Sequence, residues 1–293
     1  MNKFLLTFFI ILFLFKTGNV FSKNDIFDVD NITVTSSDIS AQNNEKLLNS
    51  AFKKGFKKLI KKILLNKDIK YISNISIKEI RYLVSSYQIQ NQEQNENSLK
   101  LNINMSFDKK RINNFFYKKN ISYSDTPITK SLLIPVIIKN ENFYLYSKNI
   151  FFEKWNIINE EENEFIDYIL PIENLEDVIF LRNNITNLES VNIKKLTSKY
   201  DIKNHILLLI EPDKEENNIF IRTFLSGKNI NKNLNIDIDE ENIENTIIKI
   251  KDEINEIWKS QNLIDVRTPS FLNIKVEIKK INDLLSLQKS LET

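Results

Sequence analysis

A chain with one histidine, no cysteine and three glycines has a narrow choice of chemistry. Zinc and copper sites draw on several imidazoles and thiolates, and a single chain of this composition cannot supply them. A Ser-His-Asp relay would have to use His205, which opens the apolar run His205-Ile206-Leu207-Leu208-Leu209 and reads as a structural residue at a strand end. No G-x-S-x-G elbow accompanies it. Phosphate-cradling loops need several glycines to bring backbone N–H groups close to the ligand. Beyond residue 22 only Gly55 and Gly227 remain, which excludes P-loop and dinucleotide fingerprints. No cofactor, metal ligand or catalytic residue is assigned.

Charge clusters are left. Glu160-Glu161-Glu162, Glu176-Asp177 and Glu215-Glu216 could offer the carboxylate pair that hydrolysis of a glycoside uses; solvated surface is the plainer reading of all three. Asp25, Asp28 and Asp30 lack the glycine that lets a calcium loop turn. The cationic cluster is denser: Lys53, Lys54, Lys57, Lys58, Lys61 and Lys62 fall on one side of an expected helix. Six like charges there suit anionic lipid headgroups or an acidic partner, against the alternative of a solvated helix face. Trp155 and Trp258 read as core aromatics, with interface anchoring as the alternative.

The amino end carries the most specific signal. After Lys3, residues Phe4 to Phe15 form an uncharged run, and Val20-Phe21-Ser22 suits cleavage between Ser22 and Lys23. A helix of that run is about 18 Å long against a hydrocarbon core of about 30 Å. It therefore reads as a signal peptide over residues 1–22 and leaves no transmembrane helix after processing. Its loss removes Lys3 and Lys16, so the 41 Lys and Arg fall by two to match the 39 Asp and Glu. A chain with no net charge lacks the basic footprint of nucleic-acid binding. Without cysteine it has no disulfides and no lipidated N-terminal Cys.

Behind the signal, periodicity predicts a strand over 26–34. A helix from Asp38 or Ser40 to about Asn66 follows, with Leu48, Phe52, Phe56, Leu59, Ile60, Ile63 and Leu64 on one face. A hairpin comes next. Its first strand holds Leu83, Ser85, Tyr87 and Ile89 and ends at the polar run 91–98; its second alternates strictly from Leu99 to Phe107. Asp108 caps a short helix. This strand-helix-hairpin-helix module spans 23–120, and the Pro-containing segment 121–129 reads as a linker.

Residues 130–264 read as an α/β module with a mixed sheet. Leu132-Leu133-Ile134-Pro135-Val136-Ile137-Ile138 suits a strand buried on both faces, with Pro135 marking a bulge or an edge. Strands are expected over 165–170, 205–211 and 219–226, and helices over 151–161, 175–183 and 185–200. The helix over 239–260 spaces Ile243, Ile247, Ile250, Ile254 and Ile257 by fours and threes, either as a core face or as an oligomer seam. Residues 265–293 form a partial β-α unit. The fold class is α+β.

Val84-Ser85-Ser86-Tyr87-Gln88-Ile89, Glu93, the alternating strand ending Phe107-Asp108, and Leu132-Leu133-Ile134-Pro135-Val136 together resemble the domain of unknown function 2066 family of exported proteobacterial proteins. Trp155 and the loop from Pro171 to Glu176-Asp177 add to the resemblance. Phe151-Phe152 replaces a Pro-aromatic turn, and few of that family's glycines are present. The resemblance implies an exported envelope protein with no established activity. The expected function is a non-enzymatic periplasmic binding or assembly factor whose partner is an envelope protein or an anionic membrane surface. The alternatives are a carboxylate-dependent periplasmic hydrolase and a peripheral protein docked through the lysine-rich helix.

Overall fold

The computed structural model describes residues 25–37, 41–72, 74–95, 98–140, 142–158, 165–216, 218–238, 242–266, 282–285 and 289. The signal peptide, Ser22, Lys23, Asp38, Ser40, Glu160-Glu161-Glu162 and most of the β-α unit expected over 265–293 lie outside these residues.

The amino-terminal module runs β1 (Asp28–Ser36), α1 (Ala41–Ile63), α2 (Asn66–Ile69), α3 (Ile77–Leu83), β2 (Val84–Asn95), β3 (Ser98–Phe107) and α4 (Lys109–Lys119). Its sheet is antiparallel in the order β1-β3-β2. A bulge between Val29 and Ile32, with Asn31 at φ 53°, keeps Val29, Ile32 and Val34 all turned inward. Against that face α1 lays Phe52, Phe56, Leu59, Ile60 and Ile63, every one buried. Gly55 sets how closely helix and sheet approach: a Cβ there would stand 2.7 Å from Ile32 Cδ1 and 3.0 Å from Met105 Sδ. Asp108 caps α4 by accepting from Arg111 N at 2.9 Å, as its sequence position predicts.

Two differences from the sequence reading concern this module. The short helix α3 replaces the expected start of the first hairpin strand. Ser76 and Glu79 close a capping box on it: the Ser76 hydroxyl accepts from Glu79 N, and the Glu79 carboxylate accepts from Ser76 N. Beyond it, β2 does not stop at Ile89 but continues through the amide-rich run to Asn95, paired with β3 throughout. Register shifts at Ser85 and Gln90 break its alternation, which is why period-two patterning loses it.

The second module runs β4 (Tyr123–Ser124), β5 (Thr129–Lys139), β6 (Asn142–Tyr144), α5 (Ile150–Lys154), β7 (Ile166–Ile169), α6 (Leu175–Arg182), α7 (Lys194–Thr197), β8 (Asn204–Ile210), β9 (Ile219–Leu225), β10 (Lys228–Leu234), α8 (Ile243–Gln261) and β11 (Leu263–Ile264). Its mixed sheet has the order β10-β9-β8-β5-β6, with β7 parallel to β5. The helix expected over 151–161 is one turn, and that over 185–200 breaks into short turns. Both faces of β8 are covered. Ile206, Leu208 and Ile210 join the cluster shared with α8, while Leu207 and Leu209 join one built with Leu181 and Leu196.

Pro135 lies on β5 opposite Leu208 of β8. On the other side, β7 pairs with residues 129–132 and β6 with 137–139, so the proline occupies the gap between them. The expected edge is thus a local one inside a central strand. Asn149, fully buried, fills it. Its Nδ2 donates to Pro135 O (3.0 Å) and Tyr144 O (3.2 Å), while its Oδ1 accepts from Phe151 N and Phe152 N and caps α5.

The segment expected to link the modules is packed: Tyr123 and Ser124 are buried, Tyr123 stacks on Phe116, and β4 pairs with β11. One hydrophobic cluster runs from β1 and α1 through α8. Ile243, Ile247, Ile250, Ile254 and Ile257 of α8 and both tryptophans are buried, so the α8 stripe is a core face. Lys259 ties the modules at the surface of that core, donating to Leu64 O (2.7 Å) and Lys61 O (3.2 Å) at the end of α1.

Candidate protein-binding edge

The three-stranded sheet has two edges, and the molecule treats them differently. Along β1, Lys54 Nζ donates to Thr33 O (2.8 Å), Lys58 to Asp30 O (3.3 Å) and Asn31 O (3.4 Å), and Lys62 to Asp28 O (3.2 Å). A spacing of four on α1 lines these ammonium groups up along the strand, where they cover edge carbonyls as edge lysines do. The six-lysine cluster is therefore two rows, with Lys53, Lys57 and Lys61 exposed on the outer one. Replacing Lys54, Lys58 and Lys62 together by Met is expected to lower stability by about 1–3 kcal/mol, at a net worth near 1 kcal/mol or less per partly solvated hydrogen bond. The same change at Lys53, Lys57 and Lys61 should leave the urea midpoint in place. Chemical denaturation of the two triple variants checks this.

The opposite edge, β2, is bare among the described residues. Every residue from Ser85 to Asn95 is exposed, and no strand pairs beyond it. The strand holds no proline and no lysine. Its one charge, Glu93, is met by Lys100 at 3.3 Å. Unpaired backbone donors and acceptors in such a row are a template for another strand.

Where β2 begins, a groove of about 630 Å³ opens between it and α1, lined by Leu48, Phe52, Arg81 and Val84–Tyr87, with Glu45. The Tyr87 ring stands edge-on to Phe52 at 5.3 Å, and the Arg81 guanidinium lies over the Phe52 ring at 5.5 Å. Arg81 is fixed by Glu45 (3.2 Å) and Asn49 (3.0 Å). Tyrosine and arginine beside a rigid apolar floor are the side chains that dominate protein interfaces. Sequence reasoning missed this site because it ended β2 at Ile89; the S-x-x-E box at Ser76 was the legible sign that a helix, and not the hairpin, precedes Val84.

Of the acidic clusters, Glu176-Asp177 and Glu215-Glu216 lie among the described residues, and neither pairs two buried carboxylates. Asp177 is buried in the first turn of α6 and accepts from Lys199 Nζ (2.5 Å) and Tyr146 OH (3.2 Å). Burial, and then the Asp177 carboxylate, push the Tyr146 hydroxyl far above its ordinary range, so it stays a donor. The hydrogen bond to Asp177 likewise holds the Lys199 ammonium above its usual value. The cavity beside this trio leaves about 10 Å³ for the centre of a water-sized sphere, room for about one water. Glu176 is exposed, as are Glu215 and Glu216. Among the described residues no group of three or more His, Asp or Glu could hold a metal ion. Two of the backbone carbonyls in the Asp25, Asp28 and Asp30 segment are taken by Lys58 and Lys62.

His205 stacks on Phe224, 5.1 Å between ring centres. Burial lowers its pKa below 6.5. A histidine harder to protonate when folded contributes stability that is complete above about pH 6.5 and is lost as pH falls through the folded value. As the sole histidine, its imidazole resonance is expected to titrate below 6.5 by NMR, and His205→Gln should flatten the loss of stability between pH 7 and 5.

No protein-family model matches this chain, and neither does any curated protein.

Proposed function

We propose that the chain is an exported, non-enzymatic binding or assembly protein of the cell envelope, working in the periplasm after cleavage at Ser22-Lys23, and that it binds through β2 and the adjoining groove. The observation that carries the reading is the contrast between the edges: one is closed by a row of lysines, the other is an exposed strand beside an aromatic groove. The amino-terminal apolar run supports export, as does the resemblance to the domain of unknown function 2066 family. Among the described residues no helix is long and apolar enough to cross a membrane.

Intact-mass measurement on native protein should find the chain starting near Lys23. In-cell crosslinking should give β2-dependent complexes, lost in Ile89→Lys/Gln92→Lys, whose added charges block the edge as lysines block β1. Retention of Met1, or complexes indifferent to that variant, would count against the reading. The exposed outer row of Lys53, Lys57 and Lys61 favours a second reading, attachment to an anionic lipid surface. Flotation with vesicles containing about a third phosphatidylglycerol tests it; binding that ignores the anionic lipid disposes of it.

A further inference from the structure

We propose that the strand β2 accepts is β2 of a second copy, making a two-fold dimer with a continuous six-stranded sheet. The inference rests on the reading of β2 as the binding edge and adds its occupant. The argument comes from register. The shift at Gln90 changes which residues share a face: Tyr87 and Ile89 lie opposite the inward residues Met105 and Ile103 of β3, and beyond the shift so do Gln92 and Gln94, opposite Leu101 and Leu99. Ser86, Gln88, Asn91, Glu93 and Asn95 take the other face.

Opposed residues of an antiparallel pair must share a face. A two-fold axis between Gln90 and Asn91 meets this rule along the strand. It sets Ile89 against Gln92 of the second copy, Tyr87 against Gln94, Gln88 against Glu93 and Ser86 against Asn95. The bulge sits on the axis, and each half-strand meets the other half of its mate. Glu93, the one charge, faces a neutral amide and not itself, so no like charges meet. Ile89 lies along the aliphatic stem of Gln92, and the other pairs set amides and hydroxyls, which both donate and accept, against one another. Such self-complementarity is what an isologous interface requires.

The chain has no cysteine, so the register can be tested directly. Light scattering on the processed chain at about 100 μM should give twice the monomer mass. Gln88→Glu, which places a second carboxylate opposite Glu93, should weaken the dimer about 2- to 30-fold, and Gln88→Lys should tighten it by a similar factor, from two cross-strand pairs per dimer. Gln88→Cys with Glu93→Cys should form an oxidised dimer on denaturing gels that neither single variant forms; within one strand these positions are about 17 Å apart and cannot bridge. A monomeric chain, or single variants that crosslink as well as the double, would overturn the dimer. If the chain is monomeric and Ile89→Lys/Gln92→Lys still abolishes envelope complexes, the binding edge stands and only its occupant is wrong. A dimer unchanged by every β2 variant overturns the proposed occupant, and envelope complexes equally unchanged would sink the binding edge as well.

Discussion

Lys259→Ala should destabilise the protein by about 3 kcal/mol, lowering the thermal midpoint by about 6–12 °C. Lys259 is 4% exposed on α8 and is ion-paired with Glu256 one turn earlier on the same helix. Its ammonium also satisfies Leu64 O and Lys61 O, carbonyls left over where α1 ends. Glu256 in turn accepts from Asn66 N (3.0 Å) at the start of α2. Truncation therefore orphans two carbonyls and leaves Glu256 without its cation. Because Glu256 keeps some contact with water, the loss falls at the low end of the range for broken buried pairs. Lys259→Met restores the packing of the stem without the donors, so it should recover only part of the loss. Calorimetry on the two variants separates the contributions; equal midpoints for wild type and Lys259→Ala would remove the clamp as a source of stability.

Asn149→Ala should cost about 3–4 kcal/mol, combining the loss of a helix cap with one buried and one half-buried carbonyl left unpaired. The residue is fully buried and uses its amide in both senses, donating to β5 and β6 and accepting from the first N–H groups of α5. Asn149→Asp separates the two roles. The carboxylate keeps the cap yet faces Pro135 O and Tyr144 O without a donor, so its folded pKa rises. A raised carboxyl pKa means stability that is lost as pH climbs above the unfolded value of about 3.9. Urea midpoints should therefore show Asn149→Asp closer to wild type near pH 4 than at pH 7. An equal deficit at both values would mean that the amide donors contribute nothing.

Patterning in the sequence reached far where one period governed a whole element. Helix α1, strand β3 and helix α8 follow their expected faces, and the mixed sheet around residues 132–138 and 205–211 stands as read. It failed where two periods met. At Ser85 and Gln90 the backbone takes an extra residue, and the inward set changes from even to odd numbers at the first and back to even at the second. Strand β10 was visible in the alternation of Lys228–Leu234 after the Ser226-Gly227 turn, both residues at positive φ, but its polar composition hid it. The lysine cluster was legible as a face, whereas its division into two rows depends on where β1 lies beneath α1. The candidate site was the least legible part, since an unpaired edge is a property of sheet order, which no local pattern encodes.

The grip of Lys259 on Leu64 joins positions 195 residues apart, within a core that also needs the isoleucines of α8. Early elements thus wait for late ones. Until residue 261 has been made, the carbonyls at the end of α1 and the part of the shared cluster that meets α8 lack their partner, and such long closures fold slowly and are prone to stray association. Pulse-labelled chains halted before Ile243 should be bound by holding chaperones and readily proteolysed, while those halted beyond Gln261 should resist.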